Sequence, residues 1–298
     1  MKITKLGEFG LIERIKKWVK NSPEVFKGIG DDCAVLKFDR TRYMLYCCDM
    51  LIENVDFTHR ARPYLIGRKA VGSSISDIAA KGGIPKYALV ALGIPKDKSY
   101  KFIRNLYRGI NYWAKRYKID IVGGDISRSE RLVIDISMIG LVEKKNLILR
   151  GGAKINDIIF LTGRLGDPAF KKQFYFKPRL EEARYLVRNY RINSMIDISD
   201  GLALDLSHIL KESNVGAVIY EKLIPVSKGG CEIKTALCKG EEFELLFSVA
   251  PKEAKRLINA KKKIYTAIGQ IVDRRYGFRL ITADAKEKTI EPRGFSHF

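Results

Sequence analysis

Gly28-Ile29-Gly30-Asp31-Asp32-Cys33-Ala34-Val35 sets two adjacent carboxylates on a glycine turn, directly ahead of an apolar, β-branched run. Neighbouring Asp side chains repel each other and gain nothing from packing, so the turn must use them for something else. The run that follows, residues 33–37, reads as a strand, and residues 43–48 read as its partner, ending at Asp49. The same arrangement recurs further on. Asp77 stands in "SDIAAKGG", Asp125 in "GGD", and Asp197 and Asp200 in "IDISDGL", mostly at strand ends or beside glycine.

Around these points the chain alternates between helical and strand periodicity. Leu11, Ile12, Ile15, Trp18 and Val19 predict an amphipathic helix over 8–20. Pro63 suits the first turn of a helix that runs to about 81 and stops at Gly82-Gly83. Strands are predicted at 87–94 and 131–142, with a helix at 98–117 between them. A short buried strand at 119–122 is expected to end in Gly123-Gly124-Asp125. After the charged stretch 143–146 come a strand at 157–163, a helical region near 178–190, and a strand at 195–199 that runs into a helix over 200–213. Further strands are expected at 215–220 and in "GEEFELLFSV" and "IYTAIGQIV". The class is therefore α/β (α+β) with two domains, 1–145 and 146–298.

Composition bounds the function. The chain has 298 residues, enough for two domains of ordinary size, and 46% of it is hydrophobic. No segment approaches the roughly 18 apolar residues of a membrane span. The first residues meet charge too early for a secretory signal. Five cysteines (Cys33, Cys47, Cys48, Cys231, Cys238) are odd in number and form no CxxC pair, which reads as free thiols in a reducing cytoplasm. The formal charge is +21, but Lys and Arg are spread along the whole chain, and the longest run is Lys261-Lys262-Lys263. Without a helix-turn-helix, zinc-finger or RNP signature, the charge reads as surface solvation or heat adaptation rather than nucleic-acid binding.

Each carboxylate has a plain structural explanation. Asp200 suits a helix N-cap, Asp125 a turn, and Asp77 a solvated helix position. Six such sites, several beside glycines that let a ligand approach the backbone, point instead to hard divalent cations. Mg²⁺ binds through one or two carboxylates together with substrate phosphates. There is no GxxxxGK[ST], no GxGxxG after a strand, no GxSxG and no HExxH. With three histidines in all, a histidine metal site is not expected, and His208 reads as a helix-face residue. Cys47 and Cys48, adjacent on a strand, must face opposite sides. An Asp-rich, Gly-rich basic chain thus reads as a phosphoryl-transfer enzyme.

The motifs, in order, resemble the thiamine-monophosphate kinase family, within the superfamily of aminoimidazole ribonucleotide synthetase, selenophosphate synthetase and a hydrogenase-maturation factor. The resemblance runs through "GEFGLIERI", "GIGDDCAVL", "SDIAAKGGIP", "IVGGD", "LRGGAKINDIIFLTGRLGD", "MIDISDGLALDLSHILKES", "GEEFELLF" and "GFSHF", nearly the whole chain. It implies two α/β domains that dimerise through their N-terminal sheets, with ATP in the cleft between domains and its phosphates on several Mg²⁺ ions. By that resemblance the metal ligands are Asp32, Asp49, Asp77, Asp125, Asp197 and Asp200, with Asp31 assisting. ATP contacts come from Tyr107, Gly124, Asp125, Arg150 and Ser199. Glu241 and Phe295 hold the thiamine part, and no side chain acts as general base.

Four places depart from the family pattern. Cys47 and Cys48 replace hydroxyl residues, Asn54-Val55-Asp56-Phe57 replaces a stretch with a substrate-facing His, Ile126 follows "GGD", and "GEEFE" replaces "GEDYE". Action on another acceptor, or nucleic-acid binding through the basic charge, are the alternative readings.

Overall fold

The computed structural model describes residues 3–167, 172–227, 232–260, 262 and 264–297. Cys231, both ends of the Lys261–Lys263 run and Phe298 lie outside these.

Helix α1 (Gly7–Trp18) precedes strands β1 (Val25–Lys27), β2 (Ala34–Lys37) and β3 (Arg42–Ile52). Then follow α2 (Pro63–Ala80), β4 (Ile84–Ile94), α3 (Tyr100–Tyr117), β5 (Asp120–Arg128) and β6 (Val133–Glu143). The six strands form one sheet in the order β1-β2-β3-β6-β4-β5, antiparallel except for β4 with β5. A second set begins with β7 (Ile158–Thr162), α4 (Lys172–Tyr175), α5 (Leu180–Asn189), β8 (Ile192–Asp197) and α6 (Leu202–Ser213). It ends with β9 (Gly216–Tyr220), α7 (Ile233–Cys238), β10 (Leu245–Val249), α8 (Pro251–Asn259), β11 (Tyr265–Val272), β12 (Phe278–Ile281) and β13 (Glu287–Thr289). This sheet runs β13-β12-β9-β11-β7-β10-β8. The mixed α/β class expected from the sequence is what the chain adopts.

Helix α2 is the central element. Pro63 supplies its first turn, where a missing N–H costs nothing. Ile66, Ala70, Val71, Ile75, Ile78, Ala79 and Ala80 are buried, and so are Lys69, Ser73 and Ser76 of its one polar row, so that row faces the site and not solvent. It packs most extensively against α3, and also against β3 and β6 of the first sheet and α5 and β8 of the second set. The core beneath it is continuous between the sheets, joining Leu45, Ile136 and Met138 of the first to Phe160, Met195 and Phe247 of the second. Gly82, at φ 70°, ends the helix in a left-handed turn that no β-carbon favours.

Three expectations fail. The strand expected at 43–48 does not end at Asp49 but runs through it to Ile52, because the ladder with β6 continues to Val133. The strand through Asp120 does not stop at Gly123-Gly124-Asp125 but continues to Arg128, and it is an exposed sheet edge, not a buried strand. Glycine here permits close pairing instead of breaking the strand, since a β-carbon on Gly124 would lie 1.8 Å from Val90 O. Helix α6 starts at Leu202, not Asp200. Its N-cap is Gly201, and the N–H groups of Asp200 and Gly201 both donate to Asp205 Oδ2, at 3.1 and 2.9 Å. Asp205, one turn inside, therefore caps this helix, and the capping explanation of Asp200 falls.

Candidate active site

The glycine turn of residues 28–32 is pinned by two cations, one buried (Lys81) and one half-buried (Arg150). Lys81, which follows the last residue of α2, has its Nζ 2.5 Å from Asp31 Oδ1 and 2.8 Å from Asp32 Oδ2. The same ammonium donates to Met195 O at 3.0 Å. Arg150 donates its backbone N–H to Asp31 Oδ2 (3.0 Å) and its guanidinium Nε and Nη2 to Asp32 Oδ1 (2.8 and 2.5 Å). Burial alone would push the Asp32 carboxyl up, but Arg150 and Lys81 outweigh it and hold the group below the ordinary carboxylate value.

Beside this neutralised pair stand carboxylates with no cation of their own among the described residues. Asp49, on the α2-facing side of β3, accepts Ser74 Oγ at 2.7 Å, and Asp197, at the end of β8, accepts Ser76 Oγ at 2.6 Å. Asp77 lies between them on α2. Burial and then the proximity of Asp49 and Asp197 push its carboxyl well above the usual range. Burial likewise raises Asp49 to about 6 and Asp197 to about 7, with Asp135 and Asp32 respectively adding repulsion. Asp200 sits at about 6, from burial and then Glu8. These carboxylates outnumber the nearby cations, which Asp31 and Asp32 already occupy. Hard oxygen donors with uncompensated negative charge fit divalent cations such as Mg²⁺.

Cys47 Sγ lies with the Asp49 and Asp77 oxygens, all within 4.8 Å of one another. Cys48 turns to the opposite face, its Sγ 2.9 Å from Asp135 Oδ2, as adjacent strand positions require. Cys33, Cys47, Cys48 and Cys238 are all free thiols. His208, on α6, has its ring 4.7 Å from that of Phe9, and a ring nitrogen lies within 4.8 Å of carboxylate oxygens of Asp200 and Asp205. Burial and then Arg150 lower its pKa to about 4.

A cavity of about 530 Å³ adjoins the carboxylates, lined by residues 54–58, Gln173, Phe174, Glu241 and Phe295, among others. Two backbone bonds tie it to the Asp197–Asp200 turn. Glu241 N–H donates to Ser199 O at 2.6 Å, and Phe295 N–H donates to Asp200 O at 2.9 Å. Glu241 holds φ 64°, a left-handed conformation that a non-glycine residue keeps only where the surrounding structure over-determines it. Asp56 does not present its carboxylate freely, because Oδ2 accepts the Ile52 N–H at 2.7 Å and closes the turn after β3.

The structure thus gathers Asp32, Asp49, Asp77, Asp197, Asp200, Arg150 and Ser199 at one place, with Glu241 and Phe295 at the adjoining cavity. It does not bring Tyr107, Gly124 and Asp125 there. Asp125 pairs in register with Ala91, on the sheet face away from α2, and Tyr107 lines a groove on α3 with Arg104 and Arg108. Five buried residues at the site escaped the sequence reading: Lys69, Ser74, Ser76, Lys81 and Asp205.

The chain matches the model for AIR synthase related protein, N-terminal domain, over residues 30–142, and its C-terminal counterpart over 134–281. A thiamine-monophosphate kinase from Buchnera aphidicola subsp. Schizaphis graminum is 34% identical, covering 98% of this chain and 99% of the relative. The chain belongs to the thiamine-monophosphate kinase family. Its relative in Bacillus subtilis is 32% identical over 98% of this chain and 100% of its own length. The solved structure described as AaThiL complexed with AMPPCP and TMP superposes with a TM-score of 0.87 at 30% identity, covering 100% of this chain and 99% of that one. In this family member, among the described residues, no helix is long and apolar enough to cross a membrane.

The raised carboxylates carry a prediction. A group whose folded pKa exceeds its unfolded value of about 4 binds more protons in the folded state, so stability falls as pH rises. With divalent ions chelated, stability is expected to decline from pH 4 to about 7, the span set by Asp49, Asp197 and Asp200. Saturating Mg²⁺ should flatten that slope. Thermal melts across this pH range, with chelator and with Mg²⁺, check it, and a chelated protein that gains stability over the same span would contradict the assignment.

Proposed function

We propose that the protein catalyses ATP-dependent phosphorylation of thiamine monophosphate to thiamine diphosphate. The observation that carries this reading is the cavity joined by backbone hydrogen bonds to the Ser199–Asp200 turn of the carboxylate cluster. A terminal phosphate oxygen of the acceptor attacks the γ-phosphorus of ATP. One P–O bond forms, the bond to ADP breaks, and no proton need be removed, because the acceptor oxygen is already ionised at neutral pH. Bringing two polyanions together is the difficulty, so catalysis is positioning and charge neutralisation. Mg²⁺, held by Asp49, Asp77, Asp197 and Asp200, would neutralise phosphate charge. Arg150 keeps a guanidinium beside that cluster, and Glu241 and Phe295 offer a carboxylate and an aromatic face to the thiazolium cation.

The division at 145/146 and a homodimer belong to the same reading. The sheet face away from α2 exposes Tyr46, Met50, Tyr87 and Leu89, an apolar surface suited to a second copy. That copy's β5 edge is the element available to bring Gly124 and Asp125 to the site. Light scattering at micromolar concentration should give twice the 33.9 kDa chain mass. Leu89→Lys should shift it to the monomer, and a wild-type monomer would defeat the dimer.

Incubation with ATP, Mg²⁺ and thiamine monophosphate should yield equal amounts of ADP and thiamine diphosphate. ATP consumption with no thiamine diphosphate would overturn the acceptor.

A further inference from the structure

Behind the cavity wall lies a lysine with no access to solvent. Lys69, from the second turn of α2, is 1% exposed, and it is not among the residues that line the cavity. Its ammonium donates to Asp56 O at 2.6 Å, to Gln173 Oε1 at 3.0 Å and to Glu241 Oε1 in a close ion pair. Asp56 belongs to the loop after β3, Gln173 to α4, and Glu241 to the segment before β10. One buried cation therefore fastens three separate stretches of the cavity lining. The Phe174 ring, on the same wall, has its centroid 5.7 Å from the ammonium.

A buried Lys paired at one oxygen of a carboxylate does two things. It offsets the cost of burying that charge, and it fixes which oxygen points inward. Lys69 takes Oε1 of Glu241, and the Glu241 side chain remains 32% accessible on its other side, towards the cavity. Burial raises the Glu241 pKa and Lys69 opposes that rise. Asp56 adds to it, and Lys239 opposes it. Without Lys69, Glu241 would lose its orientation, and both Asp56 O and Gln173 Oε1 would lose a donor.

We propose that Lys69 is the positioning residue of the acceptor site, locking Glu241 so that its second oxygen meets a cationic heterocycle in the cavity. This rests on the function proposed above. Lys69 touches no reacting atom and works only through Glu241 and the wall, so its removal should weaken the acceptor and leave the nucleotide alone.

The test is a double-mutant cycle on the full-length protein: wild type, Lys69→Met, Glu241→Gln and the double variant. Thiamine monophosphate binding is read by calorimetry with a non-hydrolysable ATP analogue, separately from turnover. Lys69→Met should raise the KM and Kd for thiamine monophosphate at least tenfold, with the ATP KM changed less than twofold. The double variant should be no weaker than the weaker single, because both substitutions remove one arrangement. An acceptor KM within twofold of wild type, losses that multiply in the double variant, or an ATP KM that rises as much as the acceptor KM would each overturn the proposal. If Lys69→Met does not fold by circular dichroism, Lys69→Gln, which keeps donors but no charge, goes through the same cycle. Wild-type protein that binds thiamine monophosphate but does not phosphorylate it overturns the proposed reaction and leaves the Lys69 cycle readable by calorimetry. Protein that does neither overturns both.

Discussion

Asp77→Asn is expected to cut turnover by about 10²–10³ while raising the melting temperature of the chelated protein. The two effects have one source. Asp77 lies between Asp49 and Asp197 on a helix buried on every side, and its carboxyl is pushed well above the usual range by burial and by those two neighbours. Folding must therefore keep it protonated or bear its charge. An amide of the same shape bears no charge and can still donate towards Asp49, so the fold gains. The amide binds a hard cation weakly, so phosphate charge goes uncompensated and the reaction loses. Excess Mg²⁺ should restore part of the turnover, because the defect lies in occupancy. Steady-state kinetics over a Mg²⁺ series, together with melts in chelator, read both signs. Near-normal turnover would remove Asp77 from the metal site, and a lowered melting temperature would show that its carboxyl stabilises the fold. Stability given up at a site where like charges must meet is the expected signature of function.

Asp31-Asp32 and Asp197–Asp200 were legible because they stand in turns or at a strand end close to glycine, a pattern visible without coordinates, whereas Asp49 and Asp77 prove to lie inside β3 and α2. The placement of Asp125 was not legible. "GGD" reads as a turn when glycine is taken as a breaker, yet Gly124 is needed so that β5 can lie close against Val90. Only pairing with β4 decides between the two, and pairing is a tertiary fact. Asp200 misled in a similar way. It stands where an N-cap is expected, but the glycine after it takes that position and Asp205 reaches back to the backbone instead. Lys69 and Lys81 could have been found. Few residues of α2 are strongly polar and its polar row is buried, so a lysine placed in that row or at the helix end has no solvent face to reach and must find buried carboxylates.

That logic makes Lys81→Met the most disruptive single change to the fold, with an expected loss of about 3–5 kcal/mol. Lys81 is fully buried, and its ammonium serves Asp31, Asp32 and the Met195 carbonyl together. Burial alone would lower its pKa, but Asp31 and Asp32 outweigh that and raise it, so the charged form is the one the fold selects. Methionine fills the volume but leaves a buried carboxylate pair with Arg150 as its only cation. A loss of this size is a large share of the roughly 5–15 kcal/mol that holds a domain together. The turn of residues 28–32 is anchored through this lysine to the end of α2 and to β8, so partial unfolding should begin there. Asp31→Asn in the Lys81→Met background should recover part of the loss, since Arg150 still neutralises Asp32 through two guanidinium bonds. The same Asp31→Asn change alone should destabilise the protein. Urea denaturation of the four proteins reads the sign change directly. If Lys81→Met costs less than about 1 kcal/mol, or if Asp31→Asn is equally harmful in both backgrounds, the two Asp of "GIGDD" are not held as a buried ion cluster.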